Sequence, residues 1–422
     1  MTMRLLNRHF LVLWQGQLVS GLGSQAYAVA LALWLKHATG SAALVGSVMT
    51  LTALSTALAA PYGGALGDLL PRKSLLVVCE LLAAGFSAAT ALVLFSCPDC
   101  VPLALAVLTF GAIGLALTRA VFRPSLAALI PDLVPRSSLP AANALRAGSA
   151  KLAEFLGNWL GGWLFLVCGA SLLFVLDGLS YLWSALTLAP LSLPRRERCP
   201  RNRSTATLAM EGLRFVLASP GMREFYILAT SVNLLAAPIF VLLPFFVEDT
   251  LAGDAGWYGR ISAALALGAL GGFLLAGVLR LRGKALTWML GSSALCMGIG
   301  LTALGLASTP LLAMLCMTFT GLGNGFFSVY IQSILQANVP AEMRARTFGV
   351  MSALSAATTP LGMALGGILG EHWPDRLGAV FILCGLGMTL CIAVIFLRRP
   401  LRSFLVLCPD VTSTPIPGGN PR

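Results

Sequence analysis

Ionisable side chains inside apolar stretches are the residues of this sequence whose chemistry stands out. Glu80, Lys151, Glu154 and Asp177 each lie in an apolar run long enough to cross a bilayer. A charge in the hydrocarbon core is costly, and it usually serves an ion or substrate pathway. A desolvated carboxylate can exchange protons with a gradient. We therefore predict that proton coupling involves Glu154, Asp177 and Lys151.

Each of these residues also has a structural interpretation. Lys151 and Glu154 are three residues apart, which places them on one face of a helix. Glu154 either carries the coupled proton near the middle of the membrane or forms a permanent ion pair with Lys151. Asp177 either takes part in coupling or braces the turn between two helices. Several polar residues of the apolar runs are predicted either to line a substrate cavity or to bridge helices. They are Gln17, Gln25, Tyr27, Asn233, Asn324 and Gln332.

The composition shows which elements must hold these residues. The chain has 422 residues, of which 57% are hydrophobic and 10% are charged, and its mean hydropathy is +0.86. Soluble proteins carry about a quarter of charged residues, so the sequence predicts an all-α integral membrane protein. Twelve apolar runs are long enough to span a bilayer, at residues 10–35, 42–66, 74–95, 102–124, 140–167, 170–193, 224–247, 257–280, 285–306, 310–336, 346–370 and 377–397.

Basic residues set the predicted orientation. With both termini in the cytoplasm, 21 of the 28 Lys and Arg residues fall in cytoplasmic segments, while the opposite face holds Lys36, Arg260 and Arg376. The net charge of +12 is therefore mostly an orientation signal and not a sign of nucleic-acid binding. We predict a multi-pass protein whose partners are membrane lipid and a small-molecule substrate.

A short charged hairpin, Gly64-Ala-Leu-Gly-Asp-Leu-Leu-Pro-Arg-Lys73, separates the second and third spans. Gly64 permits a sharp turn, and Asp68 can accept hydrogen bonds from basic groups nearby. The partners we predict lie at the cytoplasmic end of the fourth span and inside the third. One interpretation is a gate that breaks during transport, and the alternative is a set of charges that only fixes the topology. The proposed gate comprises Gly64, Asp68, Arg72, Lys73, Arg119, Arg123 and Glu80.

The chain also divides into two halves. Its longest polar segment, 194–223, begins with basic residues, and the later part is either an amphipathic surface helix or a plain linker. The segments 127–135 and 332–340 are similar and both end in Val-Pro, which indicates a parallel repeat. The predicted units are a six-helix lobe at 1–193, the basic cytoplasmic linker at 194–223, a second lobe at 224–402 and a disordered cytoplasmic tail at 403–422.

These residues resemble the major facilitator superfamily of transporters over the whole length of the chain. The hairpin matches the family's loop between helices 2 and 3, although Pro71 stands where the family has glycine. The fifth span is similar to the antiporter motif of drug exporters, with Asn158 in place of a proline, at Gly148, Gly157, Asn158, Gly161 and Gly162. The stretch from Phe122 to Ser180 is similar to the drug:proton antiporter branch that includes macrolide-efflux proteins and the enterobactin exporter.

The resemblance implies two pseudo-symmetric six-helix lobes and alternating access. It implies a monomer in a bacterial plasma (inner) membrane that exports small amphipathic, drug-like molecules by proton antiport. No catalytic residue, metal or cofactor is predicted beyond the proton gradient, and we find no phosphate-binding glycine loop that would indicate ATP drive. Three alternatives stay open: export of a siderophore or another endogenous metabolite; transport of lysophospholipid, which a basic inward-facing pocket in the first lobe would favour; and a sensor that does not transport.

Overall fold

The structure, a computed structural model, describes residues 8–135, 138–190, 205–279, 281 and 283–406, and these ranges contain helices and no strand. The helices are α1 (Arg8–Thr39), α2 (Ala42–Leu69), α3 (Arg72–Ser96), α4 (Val101–Leu133), α5 (Leu139–Leu188), α6 (Thr205–Ala218), α7 (Pro220–Ala236), α8 (Pro238–Phe245), α9 (Ala255–Val278), α10 (Gly283–Gly305), α11 (Pro310–Asn338), α12 (Ala341–His372), α13 (Leu377–Leu397) and α14 (Arg399–Val406), with a π-helical turn at Phe246–Thr250 and a 3-10 turn at Pro374–Arg376.

Among the described residues, eleven helical stretches are long and apolar enough to cross a bilayer, and they supply twelve membrane spans. One of these stretches, within α5, has 47 residues, and a straight helix of that length would measure about 70 Å, more than twice the hydrocarbon core of about 30 Å. It is divided at Gly169, where φ is 72° and ψ is 179°. The two parts of α5 run in opposite directions, since Gly161 packs on Ala26 whereas Gly23 packs on Ser180. The predicted fold of twelve spans in two six-helix lobes is confirmed.

The backbone at Gly169 provides a test of this division. Its φ and ψ lie in a region that only glycine adopts at low cost. We expect Gly169→Ala to destabilise the protein by roughly 1–3 kcal/mol and to lower its apparent melting temperature in detergent. Gly85→Ala in α3 is the matched control, because an added methyl group meets open space there as well. Equal melting temperatures for the two variants would contradict the predicted backbone strain.

Several predicted boundaries move in the structure. Helix α7 begins at Pro220, inside the segment predicted as linker, and the preceding residues form α6, which packs against α12 through an ion pair of 2.5 Å between Glu211 and Arg346. Residues 403–406 were predicted to belong to a disordered tail, but they continue α14. The reason is that Leu401 and Leu405, one turn apart, are both buried against the second lobe. Residues 407–422 lie outside the described chain.

The two lobes meet along one half of the molecule. We call the face where α1 begins and α14 ends the basic face, and the opposite face, which carries residues 40–41 and 251–254, the connector face. The largest apolar cluster joins both lobes, for example through Val45 and Phe246. A smaller cluster, which includes Phe10 and Ile130, belongs to the first lobe near the basic face.

Candidate functional site

A cluster of charges connects the lobes at the connector face. Lys36, at the end of α1, lies 2.7 Å from Glu248 and 2.6 Å from Asp249, and both carboxylates belong to the π-helical turn after α8. His37 Nε2 lies 2.9 Å from Glu248. The Lys36 side chain is only 8% exposed, and its ammonium group stands 5.3 Å from the ring centroid of Phe245. We call Lys36, His37, Glu248 and Asp249 the connector-face ion cluster.

Glycines bring the backbones of the two lobes together on the same side. A methyl group added at Gly162 of α5 would stand 2.7 Å from the Cα atom of Gly259 in α9. One added at Gly46 of α2 would stand 2.8 Å from the Cα atom of Gly367 in α12. Asn158 is buried beside the contact between Gly162 and Gly259, and its backbone carbonyl oxygen faces Gly259. Close helix packing of this kind requires residues without side chains.

The glycine motif of the fifth span therefore serves two interfaces. Gly157 and Gly161 face α1 within the first lobe, where added methyl groups would stand 2.6 Å from Gln25 Cβ and 3.0 Å from Ala26 Cα. Gly162 faces the second lobe, whereas Gly148 has open space around it. The sequence pattern alone does not separate these directions, because the residues differ only in their angle around the helix.

A cavity of about 240 Å³ lies inside the first lobe between α1, α3, α4 and α5. We call it the first-lobe cavity. Polar side chains occupy its inner end, and the exposed residues Arg123 and Arg146 stand towards the basic face. Its apolar walls include Phe10, Leu13, Trp14, Phe122 and Leu126.

Glu80 is the buried acid of this cavity. Glu80 is only 2% exposed. Its carboxylate accepts hydrogen bonds from Gln17 Nε2 at 3.0 Å and from Ser184 Oγ at 2.7 Å. Gln17 also donates to Ser184 at 3.1 Å. Three separate helices, α1, α3 and α5, therefore hold one carboxylate at the cavity wall.

Arg119 lies deeper in the lobe than predicted. Helix α4 continues to Leu133, past the expected end at 124, so Arg119 sits almost four turns inside the helix and not at its end. Its guanidinium group donates a hydrogen bond of 2.9 Å to the hydroxyl of Tyr181, which lies 2.9 Å from Ser24 Oγ. The apolar sequence after Phe122 explains the extension, because it packs in the apolar cluster near the basic face.

Asp177 is a second buried acid in the same lobe. It has no exposed surface and accepts a hydrogen bond of 2.7 Å from Ser87 of α3. Among the described residues its Oδ1 atom has no hydrogen-bond partner, and the same holds for the hydroxyl of Tyr27. Eight residues separate Asp177 from Gly169, about 12 Å along the helix, so its contacts are with α3 and not with the turn.

The remaining predicted charges lie elsewhere. Lys151 and Glu154 form an ion pair of 2.6 Å, with side chains that are 30% and 28% exposed. This is the geometry of the structural interpretation, and a coupling role for Glu154 stays a prediction. The prediction that Gly64 makes the sharp turn of the hairpin is wrong, because α2 continues through Gly64 to Leu69 and the turn falls at Leu70 and Pro71. Lys73 lies in the first turn of α3. The side chains of Asp68 and Arg72 lie outside the described part of the structure, so a gate between them and α4 stays a prediction.

The predicted cavity residues are distributed over both lobes. Gln25 lines the first-lobe cavity, whereas Tyr27 is buried against Phe174 with ring centroids 4.9 Å apart. Asn233 donates to Ser355 at 3.1 Å and so bridges α7 and α12. On α11, Asn324 and Gln332 are exposed.

The ion pairs that Glu248 and Asp249 form with the first lobe were not predicted from the sequence. A usable signal was present, because the first span ends in Lys36-His37 and the seventh span ends in Glu248-Asp249. The predicted topology places both ends at the same face. Opposite charges at one face of two lobes indicate an interlobe contact. Ser184, Tyr181 and Ser87 gave no comparable signal, because hydroxyl groups are common in membrane helices.

Known proteins resemble this chain in sequence and in fold. A family model described as "transmembrane secretion effector" matches residues 3–406. The chain is 24% identical over 392 residues to macrolide efflux protein A of Streptococcus pyogenes, covering 92% of this chain and 94% of that protein. It is 27% identical over 349 residues to the enterobactin exporter EntS of Salmonella typhimurium strain LT2, covering 81% of each. A crystal structure of a bacterial homologue of the iron transporter ferroportin in an inward-facing state is similar in fold, with a TM-score of 0.72, 18% identity and coverage of 93% of this chain and 100% of that one.

Proposed function

Because the chain belongs to the transmembrane secretion effector family of major facilitator efflux transporters, we propose that it exports small amphipathic molecules by alternating access coupled to proton antiport. It is a multi-pass membrane protein and not an enzyme. In this proposal the membrane is the bacterial inner membrane, and the basic face, with both termini, lies in the cytoplasm. The Lys and Arg bias of the loops supports that orientation.

Alternating access is supported by how the two faces differ. The connector face is closed by an ion cluster and by two backbone contacts between the lobes. The first-lobe cavity lies towards the basic face, where Arg123 and Arg146 are exposed. In the proposed cycle this is the cytoplasm-facing state. Export then requires the Lys36–Glu248 contact to break and α5 to separate from α9, while the basic face closes.

The environment of Glu80 is the observation that carries the proton-coupling proposal. This carboxylate is buried, lines the cavity and receives two neutral hydrogen bonds. Arg119 and Asp177 are near enough to act on its charge. A proton on Glu80 would leave the charge of Arg119 less balanced, and a proton released from Glu80 would restore the balance. Binding of a proton to Glu80 and binding of substrate in the cavity can thereby exclude each other, and this mutual exclusion is the requirement for antiport.

A Glu80→Gln variant tests this role. Glutamine keeps the size and can still accept a hydrogen bond, but it cannot release a proton. In proteoliposomes with an imposed pH gradient, the labelled substrate is whichever of a macrolide, enterobactin and a lysophospholipid the wild type transports. We expect its uptake against the concentration gradient to fall at least about tenfold, while exchange without a gradient persists. Glu154→Gln is the matched control, since its partner Lys151 leaves it in a partly exposed pair.

The outcomes separate the two acids. Loss of gradient-driven uptake in Glu154→Gln, with Glu80→Gln unaffected, would transfer the coupling role to the fifth span. Full gradient-driven uptake in both variants would contradict coupling by either residue. Asp177→Asn is the next variant to measure in that case, because Asp177 is the other fully buried acid among the described first-lobe residues.

Two candidate substrate classes follow from the relatives. Macrolide efflux protein A and the enterobactin exporter EntS, by their names, export a drug class and a siderophore. The lysophospholipid alternative gains support from a different observation, because it calls for a basic pocket in the first lobe and the first-lobe cavity is lined by three arginines. Uptake assays with a macrolide, enterobactin and a lysophospholipid in the same proteoliposomes compare the three directly.

A further inference from the structure

We propose that the first-lobe cavity is a binding site for an amphipathic anion, meaning a molecule with an apolar body and an oxyanion head group such as a carboxylate, phosphate or sulfonate. The assignment rests on the proposed export role, and it names the class of molecule that the cytoplasm-facing cavity takes. The head group is expected to lie between Arg123 and Arg146, with the apolar body along the wall formed by α1 and α4.

The cavity carries an excess of positive charge. Among the described residues that line the cavity, Arg119, Arg123 and Arg146 are basic and Glu80 is acidic. Arg119 and Arg146 are near enough to Arg123 to act on its charge. Within the described chain, neither Arg123 nor Arg146 has an ion-pair partner. Like charges gathered in a low-dielectric cleft attract an anion, because each guanidinium group gains energy from the same counter-charge.

The remaining lining of the cavity suits an apolar molecule. Most of the cavity wall is apolar, and Phe10, Trp14 and Phe122 supply three aromatic surfaces. The indole of Trp14 donates to Ser149 Oγ at 2.7 Å, which fixes the ring at the wall. A small inorganic anion would leave these surfaces in contact with water. A molecule that carries both an anionic head and an apolar body covers the two kinds of surface at once.

The basic and acidic groups lie at opposite ends of the cavity. Arg123 and Arg146 are exposed at the side of the basic face, while Glu80 is buried at the inner end with its donors Gln17 and Ser184. A molecule that enters from the basic face meets the two guanidinium groups first. An organic cation would approach two like charges before it reached any acid. Arginine also matches oxyanions geometrically, since its planar fork donates two parallel hydrogen bonds.

A matched pair of fluorescent probes tests the proposal with purified protein in lipid nanodiscs. The anion is 1-anilinonaphthalene-8-sulfonate, and the neutral comparator is N-phenyl-1-naphthylamine, which has the same ring system without the sulfonate. After subtraction of empty nanodiscs, we expect the double variant Arg123→Gln/Arg146→Gln to bind the anionic probe at least about tenfold more weakly. The affinity for the neutral probe should change less than about twofold.

Two control variants make the result specific. Arg214→Gln removes a charge from the exposed surface of α6, which is outside the cavity, and should leave both probes unaffected. Arg123→Lys/Arg146→Lys retains the charge but not the planar fork, so its affinity for the anionic probe should fall between the affinities of the wild type and the glutamine variant. The proposal is overturned if both probes weaken equally, if the anionic probe binds the glutamine variant as well as the wild type, or if Arg214→Gln has the same effect.

Competition identifies the source of the anion. Displacement of the sulfonate probe by lysophosphatidylglycerol alone supports a membrane lipid, and displacement by octyl phosphate as well supports recognition of the head group in any soluble amphiphile. Displacement by neither, or equal displacement by zwitterionic lysophosphatidylcholine, overturns the anion preference. These measurements need no transport. Lost anion preference with intact pH-driven uptake refutes only the ligand class, whereas anion preference without pH-driven uptake refutes only the export mechanism.

Discussion

Replacing Lys36 with methionine is expected to open the connector face. Methionine keeps an apolar stem beside Phe245 but removes the ammonium group that holds two carboxylates of the second lobe. Glu248 is only 15% exposed, and loss of one partner of a largely buried ion pair costs about 3–5 kcal/mol. Such a change shifts the balance between closed and open states about a hundredfold or more. The measurement is the distance between spin labels at Asp99→Cys and Asp375→Cys, two exposed sites on the connector face, in a background without native cysteines.

Two further variants isolate the ion pair in this experiment. Asp249→Asn should change the distance distribution little, because Asp249 is 56% exposed and exposed pairs contribute about 1 kcal/mol or less. The exchange Lys36→Glu/Glu248→Lys, made together with Asp249→Asn so that no second acid lies beside position 36, should restore the closed distances, since it preserves the pair with reversed charges. If Lys36→Met gave the wild-type distribution, the ion cluster would not stabilise the closed face.

A valine at Gly162 is expected to reduce export at least about tenfold. Its side chain would meet backbone atoms of Gly259 and Ala255, which cannot move unless α5 and α9 separate. Overpacking of such a contact costs roughly 1–3 kcal/mol or more, and it falls entirely on the state in which the connector face is closed. The protein would then fail to complete its cycle although it folds. Initial rates of efflux, normalised to the amount of protein in the membrane, provide the measurement.

Gly148→Val is the matched control for the Gly162 variant, because it lies on the same helix with open space around it. We expect its efflux rate to stay within about twofold of the wild type. The spin-label distances should lengthen only in Gly162→Val. Normal efflux by Gly162→Val would mean that the close contact between α5 and α9 takes no part in the transport cycle.

The sequence predicts most of the fold, because the bilayer makes fold signals local. Apolar runs identified twelve spans, and a single residue, Gly169, was enough to divide the fifth from the sixth. Helix ends were less predictable. Helix α4 runs nine residues beyond the apolar run that identified it, since its later turns pack inside the first lobe and not against lipid.

The candidate site was less predictable, because it depends on which faces of separate helices meet. Glu80 was identified as an intramembrane acid, but its donors Gln17 and Ser184 come from two other helices. The pairing of Lys151 with Glu154 was predictable as an option, since both residues lie on one turn of one helix. The angle at which each glycine of the fifth span faces a neighbour required three-dimensional packing.

The single-residue joint at Gly169 has a consequence for how the chain enters its membrane. All of the connectors on that face are short, at residues 40–41, 97–100, 169, 251–254, 306–309 and 373–376. Very little polar chain therefore has to be carried through the hydrocarbon during synthesis. The fifth and sixth spans have only one residue between them, so no loop can cross the membrane before the sixth span enters it. We expect the two spans to insert together as one helical hairpin. We therefore expect the chain to insert by pairs of helices, with Gly169 joining the two helices of the third pair.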